Sequence, residues 1–123
     1  RLPDQEWVDQ IQHCIEANYG DTLTLNDLAD MCHGSPYHLR RTFKRITGMT
    51  PVEYVQRTRI AKTAELLLRT DRTVADIAPA VGVPNPAYLI TLFKTITGQM
   101  PGEYRKAQSG TTIKEVLPSG SET

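Results

Sequence analysis

The chain contains two copies of one unit. Residues 35–56, SPYHLRRTFKRITGMTPVEYVQ, align without a gap with residues 85–106, NPAYLITLFKTITGQMPGEYRK, and share ten identities in 22 positions. The match extends upstream, where TLNDLADMCH at 24–33 corresponds to TVADIAPAVG at 73–82. A repeat of this length predicts two similar folded units in tandem.

Each copy has the pattern of a short helix, a turn and a second helix. In the first copy Thr24 is a candidate N-cap, Gly34 supplies the turn, and Ser35 caps a second helix that starts at Pro36 and ends at Gly48. Apolar residues recur at helical spacing in both copies. They are Leu25, Leu28, Ala29, Cys32, Leu39, Phe43 and Ile46 in the first, and Val74, Ile77, Ala78, Val81, Leu89, Phe93 and Ile96 in the second.

Pro79 lies inside the first helix of the second copy. Proline in a helix interior costs ~3 kcal/mol, and this helix starts near Thr73 or Val74. We therefore expect Pro79 to end or bend the helix early. With Pro84 and Pro86 following, the second copy is expected to have a stiff turn and a short first helix.

The remaining segments complete an all-α fold of about seven helices, with two helix-turn-helix subdomains joined by a long linking helix. Residues 51–69 contain no internal helix breaker, and Trp7, Ile11 and Ile15 mark an N-terminal helix. A rigid linking helix would hold the two units at a fixed separation. The predicted segments are 1–50 for the N-terminal helix and first unit, 51–70 for the linking helix, 71–108 for the second unit and 109–123 for a flexible tail rich in Ser, Thr and Gly.

The charges are unevenly distributed, although the net charge is zero. Residues 1–34 contain one basic and seven acidic side chains, whereas residues 35–72 contain nine basic and three acidic ones. A polyanion could bind the basic middle segment despite the neutral total.

The second helix of the first copy has a cationic face. At 100° per residue, Tyr37, Arg41 and Lys44 point away from the apolar stripe that Leu39 centres, and they are flanked by His38, Arg40 and Arg45. Arginine can donate to guanine O6 and N7, and cations at the edges can neutralise phosphates, so this face fits the major groove of double-stranded DNA. The alternative, a solvated charged surface, remains open at this point.

The same helix of the second copy offers fewer charges. Its outward positions are Ala87, Thr91 and Lys94, flanked by Tyr88, Ile90 and Thr95. We expect the first copy to make most contacts to base edges, and the second to add a thymine-methyl contact, a backbone contact or little. On a rigid spacer, two such helices could lie about one DNA turn, ~34 Å, apart.

The two copies resemble the DNA-binding domain of the AraC/XylS family of bacterial transcription regulators. The resemblance covers residues 22 to about 107 and is carried by FKRITG, TPVEY and the second-copy sequence VGVPNPAYLITLFKTITGQMPGEYR. It implies that Tyr37, Arg40 and Arg41, and then Ala87, Ile90 and Thr91 with neighbouring Tyr88, face the groove. The full set of predicted DNA-contacting residues is Ser35, Tyr37, His38, Arg40, Arg41, Lys44, Arg45, Asn85, Ala87, Tyr88, Ile90, Thr91 and Lys94.

Within that family, the chain is most similar to the C-terminal half of Ada-type regulators of the response to alkylation damage. In those proteins a separate N-terminal zinc domain with four cysteine ligands accepts a methyl group from DNA. This chain has two cysteines, so we expect no methyl transfer here. No paired carboxylates, glycine-rich phosphate loop or nucleophile–base spacing predicts another enzymatic activity. A chain that begins at Arg1 is expected to be a piece of a longer protein. The resemblance implies a transcription activator of the bacterial cytoplasm. The acidic first third could bind a partner, and a contact between this surface and RNA polymerase is compatible with activation.

The sequence does not indicate a metal site, a cofactor or a membrane span. Cys14 and Cys32 lack zinc-site spacing with His13 and His33, so neither a metal nor a cofactor is predicted. No apolar run approaches the ~20 residues of a membrane span. The isolated fragment is expected to be monomeric.

Two alternatives are left open by the residues themselves. Arg57, Arg59 and Lys62 of the linking helix either contact phosphates or stay solvated. The competing function is a helical protein-interaction or effector-binding domain that does not bind DNA.

Overall fold

The computed structural model describes residues 3–108, which form seven α-helices and no strand. The all-α prediction is therefore confirmed, and the predicted tail at 109–123 lies outside the described residues. None of the helices within 3–108 is long and apolar enough to cross a membrane. The helices are α1 (Asp4–Asn18), α2 (Leu25–Met31), α3 (Pro36–Thr47), α4 (Pro51–Arg69), α5 (Val74–Ala80), α6 (Pro86–Thr97) and α7 (Pro101–Gln108).

Helix boundaries in both copies are set by local capping. Thr24 and Thr73 each form a reciprocal capping box, in which the hydroxyl accepts from the N–H of the aspartate three residues later and the carboxylate accepts from the threonine N–H. α3 and α6 end at Gly48 and Gly98, whose φ angles of 87° and 83° lie in the left-handed region. These local signals explain why the sequence predicts most boundaries correctly.

The first compact unit ends at Ile60, inside α4, so the boundary with the second unit falls within a continuous helix. In this unit α1 packs against α2 and α3, and α4 contributes Val55 to the core. The buried core residues are Val8, Ile11, Ile15, Leu28, Ala29, Cys32, Leu39, Phe43 and Val55.

In the second unit α6 packs against α5 and α7. The burial pattern of α1 recurs in α4, because Val8 and Ile15 correspond at one constant offset to the buried Ile60 and Leu67. A helix-end contact recurs at the same offset. Asn18 Nδ2 donates to the carbonyl of Cys14 over 2.8 Å, and Thr70 Oγ1 donates to that of Leu66 over 2.7 Å. By this correspondence, the later part of α4 has the position relative to the second copy of the repeat that α1 has relative to the first.

Pro79 does not shorten its helix. α5 contains seven residues, as α2 does, and runs through Pro79 to Ala80. The expectation that Pro79 ends its helix early is therefore wrong. α2 and α5 end at corresponding residues, Met31 and Ala80, and Ala80 directly follows Pro79. Proline removes a single N–H donor there, and its ring is exposed. Val81 N–H, donating to the carbonyl of Ile77, closes the last turn.

Gly34 is not the residue that bends the first turn. His33 has a φ of 58°, while the corresponding residue of the second copy, Gly82, has a φ of 84°. Histidine tolerates the left-handed region better than most residues, although at a cost. Gly34 is needed for space instead: a Cβ there would lie 2.6 Å from Trp7 Cζ2.

A tyrosine at the corresponding position of each copy packs against a buried phenylalanine of that copy. Tyr54 packs edge-on against Phe43, with ring centroids 5.6 Å apart, and Tyr104 packs against Phe93 at 5.3 Å. The Tyr54 hydroxyl donates to Glu16 Oε2 over 2.8 Å, and burial followed by this carboxylate raises the pKa of Tyr54 to about 12. The Tyr104 hydroxyl has no partner among the described residues.

This difference predicts opposite effects of one substitution at two sites. We expect Tyr104→Phe to raise the free energy of unfolding by about 1 kcal/mol, because it removes a buried hydroxyl that has no partner among residues 3–108. Tyr54→Phe should lower it by about 1 kcal/mol, because the bond to Glu16 is lost. Urea denaturation followed by circular dichroism measures both. Changes of the same sign would contradict the assignment.

Candidate nucleic-acid interface

α3 presents one face to solvent and buries the other. Leu39 and Phe43 are completely buried in the first unit, and Tyr37 on the opposite side is 71% exposed. Arg40, Arg41 and Lys44 are exposed on the same side. An exposed helix with this density of cations and donors has the chemistry to contact phosphates and base edges.

Tyr37 and Arg41 contact each other on this face. Arg41 Nη1 donates to Tyr37 Oη over 3.0 Å, and the guanidinium carbon lies 5.9 Å from the centre of the tyrosine ring. The two residues are one helical turn apart, at i and i+4. The pair places a partly oriented guanidinium at the exposed surface.

Two residues at the edge of this face are tied to α1. Arg45 Nη2 donates to Asp4 Oδ2, forming an ion pair. His38 stacks on Trp7, with ring centroids 5.0 Å apart and an interplanar angle of 22°. Trp7 Nε1 in turn donates to the Cys32 carbonyl over 2.8 Å. α1 therefore helps to orient α3, and the side chains of Arg45 and His38 each have a partner on α1.

Ser35 and Asn85 act as N-caps. Ser35 Oγ accepts from His38 N–H over 3.1 Å. Asn85 Oδ1 accepts from the N–H groups of Ala87 and Tyr88 over 2.9 and 3.2 Å. These oxygens are engaged within the helices, whereas the Asn85 amide nitrogen still carries donors. Both residues fix the start of the helix that carries the exposed face.

α6 presents a different surface. Its exposed face carries Ala87, Thr91 and Lys94, Tyr88 is 48% exposed, and Ile90 is half-buried. Thr91 Oγ1 donates back to the Ala87 carbonyl over 3.2 Å, so its donor serves its own helix. The face therefore has one cation and more apolar surface than that of α3.

Arg59 has a role that neither prediction for α4 anticipated. Its Nε donates to the carbonyl of Tyr19 over 2.9 Å, and its Nη2 donates to that of Asp21 over 2.8 Å. The guanidinium therefore holds the loop that follows α1. Lys62 forms an ion pair with Glu65 over 3.3 Å.

The two cysteines are free thiols. Burial, reinforced by the neighbouring Cys14, raises the pKa of the Cys32 thiol to about 12, which keeps it protonated at neutral pH. Within residues 3–108, no three His, Cys, Asp or Glu side chains are grouped to hold a metal ion.

Comparison with known proteins identifies the family to which this chain belongs. A family model described as a helix-turn-helix domain matches residues 28–107. A putative AraC-like transcription regulator of Streptomyces lividans is 37% identical over 93 residues, which are 76% of this chain and 31% of that protein. The chain belongs to the AraC-type helix-turn-helix family. It is thus a DNA-binding domain of the kind found in transcription regulators, and the interpretation as an interaction domain that does not bind DNA is not supported.

The chain is also similar to a DNA repair protein that activates transcription and to a domain of a response regulator. The bifunctional transcriptional activator/DNA repair enzyme AdaA of Bacillus subtilis is 50% identical over 106 residues, which confirms the resemblance to Ada-type regulators. Those residues cover 86% of this chain and 50% of AdaA, so the chain spans about half of that relative. The C-terminal domain of AraT, a response regulator from Geobacillus stearothermophilus, matches with a TM-score of 0.80 at 30% identity, covering 86% of this chain and 91% of that structure.

Proposed function

We propose that this domain binds double-stranded DNA by inserting α3 into the major groove, with α6 entering the next one. The observation that carries the proposal is the exposed face of α3, where Tyr37, Arg40, Arg41 and Lys44 stand opposite a fully buried apolar stripe. Residues at the N-terminal end of a recognition helix reach base edges, and cations farther along neutralise phosphates. Two units in one chain would let a monomer occupy two adjacent half-sites.

The two helices would contribute unequally. Arg41 and Arg40 supply bidentate donors for guanine, whereas α6 offers the apolar Ala87 and Ile90 and the hydroxyls of Tyr88 and Thr91. Its contacts would be with thymine methyl groups or with the backbone. α3 would then carry most of the sequence discrimination.

This asymmetry is testable with one substitution in each helix. We expect Arg41→Ala to weaken binding to the preferred site by roughly ten- to one-hundred-fold, because a bidentate contact to a base is lost. Thr91→Ala should weaken it by less than about three-fold, because its hydroxyl is turned to the Ala87 carbonyl. Fluorescence anisotropy with a labelled duplex measures both affinities. Equal losses would contradict the assignment of readout to α3.

A wider role follows from the Ada-type relative. We infer that the whole protein activates genes of the alkylation-damage response in the bacterial cytoplasm, where the chromosome lies. A methyl-accepting domain would belong to the longer protein. The acidic residues of the first unit, among them Asp27 and Asp30 on α2, are candidates for a contact with RNA polymerase.

The proposal as a whole is tested by selecting duplexes from a random pool at two salt concentrations. Enrichment of two short blocks about ten base pairs apart would support the bipartite mode. The logarithm of affinity should fall linearly with the logarithm of salt concentration, with a slope of about −0.9 per phosphate contacted. Enrichment of one block would limit base reading to one unit, and no binding at either salt would overturn the proposal.

A further inference from the structure

The contact between Tyr37 and Arg41 joins two exposed side chains that form no ion pair with any other described residue. The neighbouring Arg45 is different, because it is paired with Asp4. A hydrogen bond of 3.0 Å and a guanidinium 5.9 Å from a ring centre are favourable geometries for this pair. The contact therefore selects a conformation of Arg41 before any ligand arrives.

An oriented guanidinium suits one base. Arginine has five N–H donors, of which Tyr37 Oη takes one from Nη1, so the donors needed for guanine O6 and N7 remain. A free arginine side chain loses rotamer freedom when it binds, and an arginine already held in place loses less. Tyr37 can thus act through Arg41 on the affinity for guanine.

The tyrosine ring has its own surface for a base. Tyr37 is 71% exposed at the second position of α3, at the end of the helix that reaches base edges. The apolar group that the major groove offers is the thymine methyl. Because the guanidinium lies over the ring, 5.9 Å from its centre, we expect the thymine and the guanine that they contact to be neighbours along the duplex.

The second unit lacks this arrangement. The residues that correspond to Tyr37 and Arg41 are Ala87 and Thr91, and Thr91 donates to the backbone of its own helix. A base step recognised by the pair should therefore occur once in the binding site, opposite α3.

We propose that Tyr37 is a positioning residue for Arg41 and that α3 recognises a base step in which a guanine adjoins a thymine, an inference that rests on the proposed major-groove binding. Arg41 supplies the donors to guanine. Tyr37 holds the guanidinium through its hydroxyl and contacts the thymine methyl through its ring.

The experiment uses the full chain and the site enriched in the selection above. The step opposite α3 is the one whose enrichment is lost in a selection with Arg41→Ala. Two modified duplexes then test each base: 7-deazaguanine removes the N7 acceptor, and deoxyuridine in place of thymidine removes only the methyl group. We expect the first to weaken binding on the order of ten-fold and the second about three-fold.

Tyr37→Phe separates positioning from a merely structural role. This variant keeps the ring and loses the hydroxyl, so binding should fall about five-fold on the unmodified duplex. The penalty for 7-deazaguanine should shrink, whereas the penalty for deoxyuridine should persist. Arg41→Lys should also reduce the 7-deazaguanine penalty, because lysine lacks the planar fork. Tyr19→Phe, outside both recognition helices, is the matched control and should behave as the unmodified protein does.

Three results would overturn the inference. One is a selected site without a guanine next to a thymine at the step that depends on Arg41. Another is a Tyr37→Phe variant whose penalties for both modified duplexes equal those of the unmodified protein. The third is a deoxyuridine duplex that the unmodified protein binds as tightly as the thymidine duplex. Absence of any enriched site would instead overturn the proposed function, so the two failures are distinguishable.

Discussion

Replacing Phe43 with alanine is expected to lower the free energy of unfolding by about 4 kcal/mol, because a fully buried aromatic ring leaves a cavity in a small core. Domains of this size are stabilised by only about 5–15 kcal/mol in total. A loss of this size is a large fraction of that total, so the first unit should unfold at a markedly lower urea concentration, and DNA binding through α3 should be lost where the unit unfolds. Urea denaturation followed by circular dichroism measures the change.

Two controls accompany this substitution. Phe93→Ala removes the corresponding ring of the second unit, which is also fully buried, and should cost a similar amount. Val52→Ala removes a side chain that is 45% exposed and should change stability by less than about 0.5 kcal/mol. A loss below about 1 kcal/mol for Phe43→Ala would show that the core packing described here is wrong.

Trp7→Ala is expected to cost about 3 kcal/mol. The indole is only partly exposed, donates to the Cys32 carbonyl over 2.8 Å and stacks on His38. Its removal deprives a backbone carbonyl of its partner and takes away the ring on which His38 stacks, so α3 should lose orientation as well as stability. Thermal unfolding gives the first effect, and DNA affinity of the folded protein gives the second.

A double-mutant cycle with Gly34 tests where the indole lies. Gly34→Ala should cost about 2 kcal/mol in the native background, because its Cβ would lie 2.6 Å from the Trp7 ring. In the Trp7→Ala background the same change should cost almost nothing. Gly102→Ala is the matched control: no atom lies within 4 Å of its added Cβ, and alanine favours the helix by about 1 kcal/mol. Additive effects at Trp7 and Gly34 would refute the contact.

The helices and their boundaries could be predicted because they depend on neighbours in sequence. Thr24 and Thr73 meet aspartates three residues later, and Gly48 and Gly98 stop α3 and α6 in the left-handed conformation. Because the two copies align, the helices predicted for the first copy could also be predicted for the second. Helical periodicity also placed Leu39 and Phe43 inside and Tyr37 outside, since burial of one face fixes the other.

The contacts that organise the candidate site were not predictable in the same way. Asp4 with Arg45, and Trp7 with His38, join α1 to α3 across long stretches of sequence, and no local pattern marks such pairs. The left-handed φ of His33 was not predicted, because the turn could be assigned to the adjacent Gly34, and glycine adopts this conformation more readily than histidine. The role of Arg59 was not predictable either, because the carbonyls of Tyr19 and Asp21 to which it donates lie far away in sequence, in the loop after α1.

The division of the chain inside α4 also limits how its length can vary. Inserting or deleting one residue near Ala61 would rotate the following residues of α4 by about 100° about the helix axis relative to the preceding ones. The buried Ile60 precedes such a change and the buried Thr63 and Leu67 follow it, so the three side chains would no longer lie on one face of α4. Insertions are therefore tolerable in the loops that precede α2 and α5, where no helical register is interrupted. Within α4, the number of residues is as constrained as the identity of any core side chain.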